Sequence, residues 1–162
     1  MLALTEQILR RYFEAAIVRI QDNIKNKPVA GRGAMNASGK TAASLEYVIT
    51  PTGGALYGAG HIFVLETGRG PTLNRGGGGP SLRERIREWI DDKGITPEGI
   101  SKDSLAFLIA RKIHQEGTTL HRIGGGSGIL TDVINDTELQ KLYDALFFEL
   151  ETIVTSTLLK ND

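Results

Sequence analysis

The stretch "SLEYVITPTGGALYG", residues 44–58, decides the fold class of this chain. Its first half alternates between two faces, with Leu45, Tyr47 and Ile49 on one and Glu46, Val48 and Thr50 on the other. This alternation with a period of two, together with the β-branched residues of the segment, predicts a strand. Turn residues follow at 51–54, and "ALYG" predicts an antiparallel return strand. "HIFVLET", residues 61–67, continues the pattern, so the centre of the chain is predicted to be a small antiparallel sheet.

Helical periodicity flanks this sheet on both sides. Apolar residues recur at spacings of three and four from Thr5, the predicted cap, to about Asn26. "SLRE", residues 81–84, predicts a capping box for a helix that Gly94 ends. The chain is therefore predicted to be an α+β protein with long N- and C-terminal helices and two shorter helices packed on the sheet. The other two predicted helices run from about Asp103 to Glu116, where Gly117 follows, and from about Asp136 to Leu159.

Glycine and proline interrupt this single predicted domain, residues 1–162. Residues 68–80, "GRGPTLNRGGGGP", and residues 123–130, around "GGGSG", are predicted to be flexible arms. "NKPVAGRGAMNASGK" predicts a loop or adaptable arm, and "TTLHRI" an edge strand or an extended arm. Ordering glycine costs extra conformational entropy, so arms of this kind favour a partner that orders them. Mobile surface loops are an equally good interpretation.

Composition excludes several classes of protein. Nineteen basic residues balance nineteen acidic ones, so the overall charge gives no reason to expect polyanion binding. No apolar run approaches the roughly 20 residues of a membrane-spanning helix. The absence of cysteine excludes disulfides and thiolate metal sites and suits assembly in a reducing cytoplasm.

"AMNASGKT", residues 34–41, is one residue short of a phosphate-binding consensus, because Ala34 replaces the first glycine. A phosphate-binding loop leaves a buried strand and enters a helix, whereas Gly39-Lys40-Thr41 is predicted to follow a helix and precede a strand. The pattern therefore favours an ordinary turn.

The sequence predicts no catalytic site, no metal site and no cofactor. His61, His114 and His121 lack metal-ligand spacing on one element. General acid-base catalysis by Glu66 with Asp91 or Asp92 would require the two carboxylates to lie close together in an apolar pocket, which a sequence does not show. An arginine group at 69, 75, 83, 85 and 87 keeps a nucleic-acid-binding module as a third hypothesis.

Five segments carry a resemblance in order and spacing. "NASGKTAASLEYVIT", "GHIFVLETGRGP", "IREWIDDKGI", "LAFLIARKIHQEGT" and "RIGGGSGILTDVI" together resemble the tail-completion and head-to-tail joining proteins of tailed bacteriophages. The resemblance implies a non-enzymatic neck protein of the virion, assembled in the host cytoplasm as a hexameric or dodecameric ring between portal and tail. DNA would pass through the lumen without specific binding. The alternative is a cytoplasmic nucleotide-binding or hydrolytic enzyme that uses Gly39-Lys40-Thr41.

The resemblance also implies which residues contact the neighbouring subunit. "LETGRGP" lies at the base of the long arm, and the second glycine-rich segment supplies further contacts. After the proline, the family pattern often continues with a compact apolar stretch, whereas this chain departs from the pattern and has "TLNRGGGG" there. The predicted interface residues are Glu66, Gly68, Arg69, Gly70, Pro71, Leu73, Arg75, Arg122 and Ile123.

Overall fold

The computed structural model describes residues 2–73 and 80–159, and it confirms the predicted α+β fold. The described residues form long helices at both ends and two small antiparallel sheets of two strands each. In chain order the elements are α1 (Leu2–Asn26), β1 (Pro28–Val29), β2 (Arg32–Ala34), α2 (Lys40–Ala43), β3 (Glu46–Thr50), β4 (Gly53–Tyr57), α3 (Ile62–Thr67), α4 (Leu82–Asp92), α5 (Lys102–Glu116), α6 (Thr119–Arg122) and α7 (Asp136–Leu158).

Helix α1 supplies the centre of the hydrophobic core. Its apolar stripe is buried as predicted, and Ile20 and Ile24 are fully enclosed. Around these two side chains pack residues from β1, α2, α3, α6 and the segment before α7. The prediction that Thr5 caps α1 is wrong, because α1 begins at Leu2 and Thr5 lies inside the helix.

The predicted hairpin at residues 44–58 is confirmed as β3 and β4. The strands pair from Glu46 opposite Tyr57 to Thr50 opposite Gly53. The hairpin packs closely on α1: the Phe13 ring stacks on Tyr47 with 5.7 Å between centroids, and a Cβ on Gly54 would stand 2.9 Å from Phe13 Cζ. A larger residue at this glycine would push the hairpin off the helix.

Three predicted segments adopt other structures. "HIFVLET" forms helix α3, because its continuous apolar run fits a short helix as well as a strand and its Ile62 and Glu66, four residues apart, both point inward. "TTLHRI" forms helix α6, which begins where the Thr118 hydroxyl accepts a bond from the His121 amide. The predicted loop after α1 contains the two-strand pairing of β1 and β2 and then α2.

Helices α4 and α5 pack mainly on each other and bury Ile90, Ala106 and Ala110 at their contact. The predicted capping box is confirmed, with Ser81 Oγ accepting from the Glu84 amide and Glu84 Oε2 accepting from the Ser81 amide. Helix α7 runs along α1, and Arg19 joins the two helices by an ion pair to Glu138 (3.1 Å).

Candidate assembly surface

The buried carboxylate of Glu66 organises the segment that follows α6. Helix α3 points this side chain inward, where it is only 6% exposed. Four donors converge on it from the backbone amides of Gly128 (3.1 Å) and Leu130 (2.8 Å) and the hydroxyls of Ser127 (3.1 Å) and Thr131 (2.8 Å). Burial by itself raises the pKa of the Glu66 carboxyl, but these hydrogen bonds outweigh it and hold the pKa below its ordinary value.

Main-chain bonds complete the enclosure of Glu66. Its carbonyl oxygen accepts from the amides of Gly126 and Ser127, both at 3.0 Å. Ser127, Gly128 and Ile129 are buried. Part of the predicted arm at 123–130 is therefore packed inside the chain, because a carboxylate buried without an opposite charge needs several donors. Glu66 itself, a predicted interface residue, is turned inward.

The base of the long arm is fixed to the junction between α5 and α6. We use the name arm base for residues 67–73. The Arg69 amide donates to Thr118 Oγ1 (2.9 Å), and the Thr118 amide donates to the Arg69 carbonyl (2.8 Å). The Thr72 amide donates to the His114 carbonyl at 3.1 Å. The chain therefore leaves the arm base from a defined position.

Two glycines allow this close approach. Gly68 has φ +76° and ψ 173°, and Gly117 has φ +78° and ψ −179°, a backbone conformation that only glycine adopts readily. A Cβ on Gly68 would meet the backbone nitrogen of His121, and one on Gly117 would stand 2.7 Å from the Arg69 carbonyl oxygen. Gly117 ends α5 as predicted, whereas nothing local in the sequence revealed that Gly68 approaches Thr118 and His121.

Apart from the buried Glu66, the predicted interface residues that the structure describes divide into two groups. Gly68, Arg69 and Gly70 are half-buried in the contact with α6. Arg75 lies outside the described residues. The others present exposed surface near the arm base: Pro71, Leu73 (92% exposed), Arg122 and Ile123 (62% exposed). Phe63, which is 68% exposed on α3, is a further exposed apolar side chain that was not among the predicted interface residues.

Helix α7 exposes a second apolar surface. Its side chains toward α1 are half-buried, and none of its residues is fully buried. We define the α7 outer face by its exposed apolar residues Tyr143, Phe147, Leu150 and Val154 and its acidic residues Asp144 and Glu151. Phe147 and the neighbouring Phe148 are 69% and 70% exposed. The apolar pattern of the sequence predicted the helix but did not show that only one of its apolar faces is covered.

The residues considered for catalysis are dispersed. Gly39-Lys40-Thr41 follows β2 and opens α2, so its predicted place between a helix and a strand is wrong. Helix α2 has only four residues, and the Thr41 hydroxyl contacts the His61 ring. His114 is hydrogen-bonded to Thr72 through Nδ1 (2.7 Å), and the His121 ring lies beside Gly70. Asp91 accepts from Lys102 at 2.7 Å, and it also pairs with Arg87.

The arginine group divides in a similar way. The Arg87 side chain lies between two acids, Asp91 and Asp103. The Arg83 guanidinium stacks 5.9 Å above the Phe107 ring. Among residues 2–73 and 80–159, no group of three or more His, Asp or Glu side chains is placed to hold a metal ion. Within the same ranges, no helix is both long and apolar enough to cross a membrane.

Comparisons of the chain with protein-family models, with curated proteins and with solved structures found no match.

Proposed function

We propose that this chain is a structural subunit of the neck of a tailed bacteriophage and forms a ring that joins the portal to the tail. The observation that carries the proposal is the α7 outer face. A helix of 23 residues with no fully buried side chain presents a row of aromatic and aliphatic groups to the surroundings. Contiguous apolar surface of this kind marks sites of protein association.

The arm base supports the same function. Leu73 is exposed in the arm base, and Phe63 on α3 and Ile123 just after α6 are exposed as well. Hydrogen bonds to Thr118 and His114 hold the backbone of the arm base in place. Contacts from a preorganised segment cost less ordering entropy on association than contacts from a free loop. The arm base is therefore suited to engage a neighbouring subunit at the position that the resemblance implies.

The ordered series of motifs between Asn36 and Ile134 supplies the biological context of the proposal. A neck subunit would assemble with copies of itself as a hexamer or dodecamer and with portal or tail proteins. A net charge of zero is compatible with a lumen through which DNA passes, since strong phosphate contacts would slow its transit.

The test is cryo-electron microscopy of the neck of virions from the phage or prophage that encodes the chain. We expect a ring of copies with the arm base against a neighbour. Particles from a phage with a stop codon early in this gene should accumulate as separate heads and tails, and supplied wild-type protein should join them. A neck without this chain would contradict the proposal.

A further inference from the structure

We infer that copies of this chain associate head to tail, with the α7 outer face of one copy packed on helix α5 of the next. The inference rests on the proposed function, because it names the contact that would build the ring. It is carried by two exposed apolar surfaces of opposite charge on the same chain.

The α7 outer face is acidic. Asp144 and Glu151 border its apolar row, in which Tyr143, Phe147 and Leu150 follow one another at spacings of four and three. The whole helix has five acids, Asp136, Glu138, Asp144, Glu149 and Glu151, against the single base Lys141. A partner surface for this face should therefore combine apolar groups with positive charge.

Helix α5 offers such a surface. Phe107 and Leu108 are 50% and 51% exposed, and one helical turn later Arg111 and Lys112 are also exposed. We call these four residues the α5 outer face. Neither Arg111 nor Lys112 forms an ion pair within residues 2–73 and 80–159. The Arg83 guanidinium, stacked on Phe107, adds a third positive charge.

Charge decides which pairing of these faces is favourable. Two α7 outer faces would bring Asp144 and Glu151 of both copies together, and two α5 outer faces would bring Arg111 and Lys112 together. Like charges that face each other across an interface cost several kcal/mol of binding free energy. Only the mixed pairing of an α7 outer face with an α5 outer face joins opposite charges while it covers apolar side chains on both copies. A contact between two different faces is heterologous, and repetition of such a contact closes into a ring when the rotation from one copy to the next divides a full turn.

Cysteine crosslinking tests the pairing directly, because the chain has no cysteine of its own. Gln140, one turn before Asp144, and Gln115, one turn after Arg111, are exposed and lie at the rims of the two faces. A variant with both Gln140→Cys and Gln115→Cys, treated with a short bis-maleimide, should give a ladder of oligomers. Each single variant should stay monomeric, and a mixture of the two should give dimers. Dimers from Gln140→Cys alone would show an α7 to α7 contact and overturn the inference.

Charge reversal provides the matched test. One variant changes Asp144 and Glu151 to lysine, and the other changes Arg111 and Lys112 to glutamate. Each reversal places like charges across the proposed contact, so each should reduce crosslinking roughly tenfold in a cysteine background. An equimolar mixture should recover it, because each reversed face then meets a complementary one. A mixture that stays as defective as either variant would contradict the pairing, with circular dichroism verifying that both variants fold.

The crosslinks are examined with the purified full chain at high concentration and with virions that contain the cysteine variants. The absence of a crosslink between positions 115 and 140 in both preparations would overturn the inference. The neck density described above would then decide the proposed function separately. A ladder in solution together with a neck that lacks the chain would retain the contact and reject the neck role.

Discussion

Replacing Glu66 with glutamine removes the negative charge on which four hydrogen-bond donors converge. The amide retains one acceptor oxygen, but its NH2 group faces donors that need an acceptor. Hydrogen bonds to a charged group contribute about 1.5–3 kcal/mol each, so Glu66→Gln should lower the free energy of unfolding by about 2–3 kcal/mol. Urea denaturation at pH 7 measures this loss. Glu88→Gln, at an exposed glutamate of α4, is the control and should change it by less than about 0.5 kcal/mol.

The same carboxylate predicts a dependence on pH. Because the folded chain holds the pKa of Glu66 below its ordinary value, the unfolded chain takes up this proton first as the pH falls. The stabilisation is complete above the unfolded pKa of about 4.3 and is lost as the pH falls through the folded pKa. The difference in unfolding free energy between wild type and Glu66→Gln should therefore shrink from pH 6 to pH 3. A constant difference would show that the charge of Glu66 does not stabilise the fold.

Gly68→Ala tests the contact between the arm base and the junction of α5 and α6. The new methyl group would meet the backbone of His121 and stand 2.7 Å from Thr118 Oγ1, in a backbone conformation that alanine resists. We expect a loss of about 2–4 kcal/mol in unfolding free energy, measured by denaturant titration. Gly60→Ala is the control, since a Cβ there meets open space. Equal effects of the two changes would contradict the described contact.

The role of single residues was predictable only where it depends on neighbours in the sequence. The capping box of Ser81 and Glu84 needs residues three positions apart, so the sequence predicted it correctly. The donors that surround Glu66 lie about 60 residues further along the chain, and no local pattern joins them to it. For the same reason, the sequence showed that Gly117 ends a helix but not that Gly68 approaches His121.

Among the elements, α4 depends on its N-terminal cap, which Ser81 and Glu84 form. Ser81→Ala removes the bond from the Glu84 amide to the serine hydroxyl. Loss of such a cap costs about 1 kcal/mol, so the thermal midpoint followed by circular dichroism should fall by a few degrees. Ser156→Ala, at an exposed hydroxyl within α7, should leave the midpoint nearly unchanged. A midpoint unaffected by Ser81→Ala would show that the cap does not stabilise α4.

Elements with long periodicity were predicted correctly, whereas one short apolar run was assigned to the wrong type of element. The stripes of α1, α5 and α7 extend over several turns, which a strand cannot imitate. "IFVL" in α3 is too short to distinguish a helix from a strand by pattern. Glycines at 124–128 predicted an arm by composition, but the structure uses part of that segment to enclose a buried carboxylate, which composition does not reveal.

At the scale of the whole molecule, the α+β class followed from the order of helical and strand periodicities. The order did not specify which apolar faces meet within the chain. Helix α7 shows this clearly, because its sequence has apolar residues on two sides and α1 covers only one of them. The remaining side forms the α7 outer face, which under the proposed function contacts another copy of the chain.

Adjacent residues on two different sides of α7 allow a matched test of that role. Leu146 is half-buried toward the fold, whereas Phe147 is 69% exposed on the α7 outer face. Phe147→Ser should leave the free energy of unfolding within about 0.5 kcal/mol of wild type, because it removes few contacts inside the chain. Leu146→Ala should lower it by about 1–2 kcal/mol through lost packing. Denaturant titration of the two purified variants measures both changes.

Assembly should respond in the opposite order. In a phage that encodes the chain, Phe147→Ser should leave heads and tails unjoined, because an apolar contact with the neighbouring subunit is lost. Leu146→Ala should still join them wherever the destabilised chain remains folded, as electron microscopy of lysates would show. A Phe147→Ser phage with a wild-type yield of joined particles would exclude the α7 outer face from ring formation. A loss of stability as large as that of Leu146→Ala would instead place Phe147 in the core of its own chain.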